Sequence, residues 1–570
     1  MLAPDDVLAT TLATEFAPAT NLKNRVAGAT WRYLLPSIER DRVLCLGRPT
    51  EAELVTLARV AFEIVIVERG GDRAIVATDG VPGATVRSIG GSTVAAWLAE
   101  RPAASIDLVW IAAGRRSRPG PAIDDAVLAA LPRLLAPDGA VVRADTAGAA
   151  VAGRRELRID VRPARGELRS AVASGDEGTR ALLAGRGLLG SAGTIPGPRP
   201  VRALLRPLLG RRSGPPGNLR LDLPGGAAAG TLPHPPAYVT ALAEAAGVDV
   251  HAFRCGLAAP GTYNTQKVLL FLTPPDGDEP SIVVKMTRDP SVNARLENER
   301  DGLRHLESLG LASDGRLPRV LFAGRHAGLA IVGESAVGGV PFAKRAGADP
   351  AAGPIVDAID WLVELGVRSA RPAAPADVAA ALNDLHARYV TLCRPPTIEA
   401  DRLAAAIAVV AASTAPIPLV FQHGDPGTWN LLVGNDGRTR FLDWENADEA
   451  GPPLWDLFYL LRSHAVGSAR RAGRRASRGR RLAAIERYLF DASPMSDLVV
   501  EVVARYLARV GLDPVMVEPL YHLCWMHQAL KEATRVAPDR VRGAHFNRLL
   551  RLGLERRDAP TLRRLFGEPS

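Results

Sequence analysis

The stretch FQHGDPGTWNLLVGNDGRTRFLDWE, residues 421–445, decides how the chain is read. Leu431 to Val433 and Thr439 to Leu442 are short apolar or β-favouring runs, and Asn435-Asp436-Gly437 between them is a hairpin turn signal. A turn centred between Asp436 and Gly437 pairs residue i with 873 − i, which sets Asn430 opposite Asp443. Directly opposed residues on antiparallel strands lie about 4.5–5.5 Å apart at Cα. The ribbon therefore predicts an amide oxygen and a carboxylate at one point. Such hard oxygen ligands suit Mg2+, with positions left for phosphate and water. Asp425 precedes the ribbon in a loop opened by His423-Gly424, where a carboxylate can take a proton from an attacking hydroxyl. Taken singly, each of the three is a turn former or a strand end. Taken together, with His423 two residues before Asp425, they read as a site.

HGD, four residues and then Asn, followed by LDWE, resembles the catalytic core of the aminoglycoside phosphotransferase and choline kinase group, which shares the protein-kinase-like fold. The resemblance covers roughly residues 236–570. It implies that Asp425 is the catalytic base and that Asn430 and Asp443 hold the metal. Asp456, in GPPLWDLFYLL, matches a family aspartate that braces the catalytic loop, and is read as structural. ATP is then the phosphate donor, with Mg2+, and a small-molecule hydroxyl the acceptor. Aminoglycoside, sugar, choline-like amine and envelope precursor all stay open.

A kinase also needs a cation on the nucleotide phosphates. Of 70 Lys plus Arg, only five are Lys: Lys23, Lys267, Lys285, Lys344 and Lys531. Lys285 ends the strand-like run SIVVK, at the position that the resemblance assigns to the phosphate-binding lysine. Its compact ammonium serves as a point charge where an Arg fork demands another geometry. Its partner is expected on the following helix, residues 294–310, with apolar Leu296, Leu303, Leu306 and Leu309. Glu297 and Glu299 are both candidates, and the family register favours Glu299. Upstream, Gly261 and the backbone around Thr262 to Asn264 are placed over the triphosphate. GLAIVGESAVGG (328–339) fits the connection between two lobes, with backbone near Gly333 to Ser335 meeting adenine.

The N-terminal part reads differently. RVLCLG (42–47), FEIVIVE (62–68), SIDLVWIAAG (105–114) and PDGAVVRAD (137–145) are strand-like, with helical spacing in 51–61 and 122–136. Strands alternating with helices imply a parallel sheet covered on both faces. This order resembles a class I methyltransferase-type Rossmann domain. The segment after the first strand departs from that pattern: Gly47-Arg48-Pro49-Thr50-Glu51 keeps one glycine where backbone must approach a cofactor. Glu68 is the acid that could accept from ribose hydroxyls. The departures favour a domain used for contacts over one that binds S-adenosylmethionine.

The fold class expected is α/β plus α+β. A Rossmann-like, degenerate methyltransferase-like domain spans 1–170, and a Gly/Pro/Arg-rich linker 171–235. A kinase-like N-lobe spans 236–340 and a C-lobe 341–570. At 570 residues two domains plus a linker are the natural division. No apolar run reaches the ~18–20 residues that span a bilayer, so no transmembrane segment is expected. The acidic start MLAPDDVLAT lacks a signal-peptide pattern, and four scattered cysteines form no disulfide framework, so a cytoplasmic protein is the plain reading. The formal charge is +9, and SARRAGRRASRGRR (468–481) holds seven Arg with no acid. No aromatic interleaves that run, which argues against nucleic acid as partner and for an exposed insert or an attractor of acidic small substrates. His522 and His527 do not converge on a helix. Glu501 and Glu532 are read as surface acids, with contact to a cationic acceptor as the alternative. Competing readings are a pseudokinase-type nucleotide-binding scaffold and a methyltransferase with an accessory kinase-like half. Oligomeric state is not legible.

Overall fold

Val43 and Cys45 pack into one buried cluster while Leu44 and Leu46 pack into another, so the strand Arg42–Leu46 (β1) is buried on both faces. Glu63–Glu68 (β2) repeats this, with Ile64 and Ile66 on one side and Val65 and Val67 on the other. That is the pattern of a central strand in a parallel sheet. The structure, a computed structural model, describes residues 30–47, 54, 57, 61–68, 85–90, 94–111, 125–144, 151, 154–162, 170–173, 176–185, 217–224, 234–259, 266–347, 351, 353–472, 485–534 and 536–567. The chain divides into two units. Among the described residues one holds Asn24–Leu296 with Val320–Ala336, and the other Glu297–Arg319 with Val337–Ser570.

The first unit is built on one 13-stranded sheet, of order β12-β13-β11-β10-β9-β7-β6-β8-β5-β4-β1-β2-β3. Here β3 is Thr85–Gly90, β4 Ile106–Ile111, β5 Leu135–Ala144, β6 Arg155–Arg162, β7 Ser170–Ala173 and β8 Gly217–Leu223. The rest are β9 Arg254–Ala258, β10 Val268–Thr273, β11 Ile282–Met286, β12 Val320–His326 and β13 Leu329–Ser335. From β3 to β5 every pairing is parallel; from β5 through β8, β6, β7 and β9 to β12 every pairing is antiparallel.

Two expectations are corrected here. Residues 171–235 are more than a linker: β7, β8 and the helix Glu177–Gly185 lie within or at the edge of that range. NLRLDL (218–223) alternates as a strand does and pairs on both sides, with β5 and β6. The Gly, Pro and Arg on either side hide the run. Nor is residue 236 a boundary between units, because β7 joins β9 directly through Ser170 to Ala258 and Ala171 to Leu257. The expected N-lobe strands therefore extend the N-terminal sheet, and the division falls inside the helix Asn293–Ser308 and after Ala336.

The second unit is mostly helical. Long helices run over Pro354–Ser369, Pro375–Cys393, Thr397–Ala411, Trp455–Ala472, Pro494–Val510, Val517–Ala533 and His545–Glu555. Pro494–Val510 shows why they start and stop: Ser493 and Ser496 form a capping box, proline opens the helix, and Gly511 closes it at φ 76°. Two three-stranded sheets sit among them. One joins Arg371–Ala373, Ile417–Gln422 and Asp448–Gly451, and the other joins Val340–Pro341, Leu431–Val433 and Thr439–Phe441. Trp361, Phe421, Phe441 and Trp444 pack ring against ring between them.

Candidate active site

The strand Ile417–Gln422 is buried along its length and delivers His423, itself 0 % exposed. The His423 ring lies against Trp444, with centroids 4.3 Å apart. Its Nε2–H donates to Leu442 O at 3.0 Å, and its Nδ1 accepts the Asp425 N–H at 3.3 Å. This pair of bonds needs the neutral ring, and burial pushes the imidazole down to about 4 against the pull of Asp443. His423 thus ties the loop to the far strand of the hairpin. A group held neutral in the fold contributes stability above its unfolded pKa and loses it as pH falls through the folded value. The His423 contribution to stability in the metal-free protein is therefore expected to fall between about pH 6.5 and pH 4, opposed in the same window by the raised carboxyls of Asp456 and Asp425. His423→Asn should remove that contribution in a thermal melt series; an unchanged pH profile contradicts the assignment.

Asp456 stands in the first turn of Trp455–Ala472. Its two oxygens accept the His423 N–H at 2.5 Å and the Gly424 N–H at 3.0 Å. Loss of water pushes its carboxyl up to about 7, against the two N–H groups that favour the ionised form. Gly424 has φ 76°, and a Cβ there would lie 2.0 Å from Asn446 O, so only glycine fits. Asp456 therefore shapes the loop rather than facing a substrate. Asp456→Ala should lower stability by about 2–6 kcal/mol, the penalty for two donors left without partners. Denaturant titration would show it, and a variant as stable as wild type would refute the bracing role.

Asp425 and Asn430 are brought into contact. Asn430 Nδ2 donates to Asp425 O at 2.9 Å and lies 3.3 Å from Asp425 Oδ2. Trp429 Nε1 approaches the same Oδ2 at 3.5 Å, while Asp425 Oδ1 is buried with no hydrogen-bond partner. Burial raises the Asp425 carboxyl to about 6; Lys531 and the Tyr459 hydroxyl act in the opposite direction, and Asp443 raises it further. A carboxylate so placed is a better proton acceptor near neutrality than an exposed one.

The hairpin is present, with its register one residue from that expected. Leu431 pairs with Phe441, Leu432 with Arg440 and Val433 with Thr439, so Asn430 stands opposite Leu442, whose N–H it accepts at 2.9 Å. The cause is the loop. Gly434 N–H reaches Arg438 O and Gly437 N–H reaches Gly434 O, with Gly437 at φ 77°. This is a three-residue loop closed by a left-handed glycine, not a two-residue turn. Asp443 follows as the first residue past the ribbon, at φ 68°, a left-handed conformation uncommon for a side-chain-bearing residue. Directly after it, Trp444 N–H donates to Glu299 Oε1 at 3.1 Å. Asn298 Nδ2 holds Glu445 O and Ala447 O, so the helix Asn293–Ser308 clamps the chain leaving Asp443.

The donor set fits Mg2+. Among the described residues no group of three or more His, Cys, Asp or Glu gathers as a metal cage. One amide and one carboxylate leave most positions to phosphate and water, as Mg2+ prefers. Asp425, in contact with Asn430, keeps a bare Oδ1 as the unsatisfied acceptor.

Lys285 is 9 % exposed, and its Nζ lies 2.8 Å from Glu334 Oε2. Lys285 stands opposite Val332, so Glu334 is its diagonal neighbour on β13. The sequence reading did not select Glu334, the one acid of LAIVGES. Glu299, 0 % exposed, holds the Trp444 N–H within its own unit, and its pairing with Lys285 stands as a proposal. The adenine contact expected of backbone near Gly333 to Ser335 stands as a proposal. These residues pair with Ile282 to Val284, and Gly333 and Glu334 pair with β12 as well. The connection out of the strand runs over 336–339. Gly261, Thr262 and Asn264 lie outside the described residues, as do most of 468–481 and of the helical 51–61. His522 and His527 are buried, the latter stacked on Trp455 at 4.8 Å, so both belong to the core.

Trp429, Tyr459 and Lys531, which act on Asp425, are not singled out by the sequence reading. Lys531 carried a signal, as one of five lysines; the others gather only through folding.

Residues 265–494 match the phosphotransferase enzyme family. The match contains Lys285, Glu299, Asp425, Asn430, Asp443 and Asp456 and supports a small-molecule kinase. No curated protein sequence matches the chain. Among solved structures, aminoglycoside phosphotransferase APH(3'')-Id from Streptomyces rimosus ATCC10970 is similar at 20 % identity, over 52 % of this chain and 97 % of that one, with TM-score 0.31. A putative fructosamine-3-kinase from Haemophilus somnus 129PT is similar at 10 % identity, over 52 % and 96 %, with TM-score 0.26. The bifunctional kinase-methyltransferase WbdD is similar at 12 % identity, over 90 % and 88 %, with TM-score 0.20. At these scores the likenesses are distant. Among the described residues no helix is long and apolar enough to cross a membrane.

Proposed function

We propose that the chain transfers the γ-phosphoryl group of ATP to a hydroxyl of a small molecule. The observation that carries this reading is the bare, buried Asp425 Oδ1 beside Asn430, at the base of a ribbon that Asp443 follows. Asp425 orients the acceptor hydroxyl and takes its proton. Asn430 and Asp443 hold Mg2+, which when bound neutralises charge on the phosphates. Lys285, steadied by Glu334, provides the ammonium for the α/β-phosphates. His423 and Asp456 fix the loop so that Asp425 does not reorganise during transfer. Thermal shift with Mg-ATP, then ATP turnover over a panel of hydroxyl acceptors, tests this. Stabilisation with acceptor-dependent turnover is expected. Binding with no transfer to any acceptor would instead mark a nucleotide-binding scaffold.

The order β3-β2-β1-β4-β5, all parallel, favours a second reading for the N-terminal part: a Rossmann-like domain of methyltransferase type. Gly47, at φ 94°, ends β1 where such folds admit a cofactor, though its N–H is already held by Val67 O. Equilibrium dialysis with labelled S-adenosylmethionine decides whether the domain still binds it. No binding at millimolar cofactor leaves a domain used for contacts.

A further inference from the structure

Arg462 lies one helical turn beyond Tyr459 on Trp455–Ala472 and is 8 % exposed. Its guanidinium sits 4.7 Å from the centroid of Phe546, and its Nη2 meets His545 Nε2. As a donor only, Arg462 requires that nitrogen of His545 to be unprotonated. Burial together with Arg462, Arg470 and Arg548 holds His545 down to about 3, so it stays neutral. Among the described residues no carboxylate forms an ion pair with Arg462, and its Nε is buried without a partner. The acids that act on it at longer range are Glu532 and Asp425, while Arg470 opposes them. Glu532 accepts the Phe546 N–H at 2.6 Å. A nearly buried cation with no counter-charge in contact is costly unless a ligand supplies one.

The same contacts lead to the reaction centre. Phe546 stacks on Tyr459 at 5.9 Å, Tyr459 meets Trp429 edge-on at 6.1 Å, and the Trp429 indole N–H points at Asp425. Trp429 is 59 % exposed, a large apolar face beside the proposed base. Ser463, one residue past Arg462, receives the Thr428 N–H at 2.8 Å and fixes this helix against the loop.

Resting on the phosphotransferase reading, we propose that the acceptor carries an anionic group, a carboxylate or a phosphate, bound by Arg462. Its apolar face lies on Trp429. The cation in this wall disfavours polyamine acceptors by like-charge repulsion. Glu501, exposed on its helix, and Glu532, engaged with Phe546, do not offset it.

The test uses the full chain with saturating Mg-ADP and four matched probes: glucose, glucose 6-phosphate, glucuronate and glucosamine. Thermal stabilisation gives an apparent Kd for each. The two anionic sugars are expected to bind at least about tenfold more tightly than the neutral and amino sugars, the effect of one charge-assisted contact. Arg462→Met should abolish that preference and Arg462→Lys should keep most of it. Equal binding of all four, or a preference that survives in Arg462→Met, overturns the proposal. If the methionine variant does not fold, the wild type still decides. Sulfate must compete with the anionic sugars and not with ADP; sulfate without such competition overturns it. Transfer from γ-labelled ATP is read separately. Anion preference without transfer to any acceptor of the wider panel keeps the Arg462 site and removes the phosphotransferase reading. Transfer without preference does the reverse.

Discussion

Asp425→Asn is expected to lower phosphoryl transfer by a factor on the order of 10²–10⁴, the contribution of a positioned general base. Nucleotide affinity should hold. The substitution keeps the shape of the side chain. It also leaves the bond from Asn430 Nδ2 to the Asp425 carbonyl, so the loop keeps its anchor on the ribbon. His423 still accepts the backbone N–H of residue 425. What disappears is the bare, buried oxygen whose proton affinity burial raises. Steady-state turnover with the true acceptor, beside a melt and an ADP titration, separates loss of chemistry from loss of fold. Unchanged turnover would refute the base assignment.

Asp443→Asn should cost on the order of 10²-fold or more in turnover, as loss of one preorganised electrostatic contact does. It should also raise the Mg2+ concentration needed for half-maximal rate. Asparagine is the informative substitution here. Asp443 sits at φ 68°, a conformation that Asn adopts readily, so charge is removed with little backbone strain. Alanine at the same place would add a penalty of about 1–2 kcal/mol and confuse the two effects. Activity titrated against Mg2+ checks the prediction. A variant with wild-type rate and wild-type Mg2+ dependence would remove Asp443 from the metal site.

The loop and ribbon were legible because their signals are local. The turn signal at 435–437, the apolar runs beside it and the spacing of Asp425, Asn430 and Asp443 lie within one short stretch. The register was not legible to the residue. Two- and three-residue loops share the Asp-Gly signature, and only the Gly434 to Arg438 bond tells them apart. In the parallel half, β1, β2, β4 and β5 announce themselves as apolar runs buried on both faces. β7 and β8 do not: both stand among glycines, prolines and arginines, β7 has only four residues, and β8 pairs with β5 and β6, which are far away in sequence. Glu334 escaped for a related reason: a diagonal neighbour across two strands is set by register, which spacing alone does not supply. Arg462, Tyr459 and Trp429 come together from a helix and a loop, a long-range event with no motif of its own.

The most direct measurement is a crystal structure of the full chain with Mg-ADP. One metal ion should lie about 2.0–2.1 Å from an oxygen of Asn430 and from an oxygen of Asp443. Asp425 should stand clear of the ion with its free carboxylate oxygen toward the open acceptor side. A metal bound by other residues, or Asn430 and Asp443 turned away from each other around the nucleotide, would contradict the mechanism.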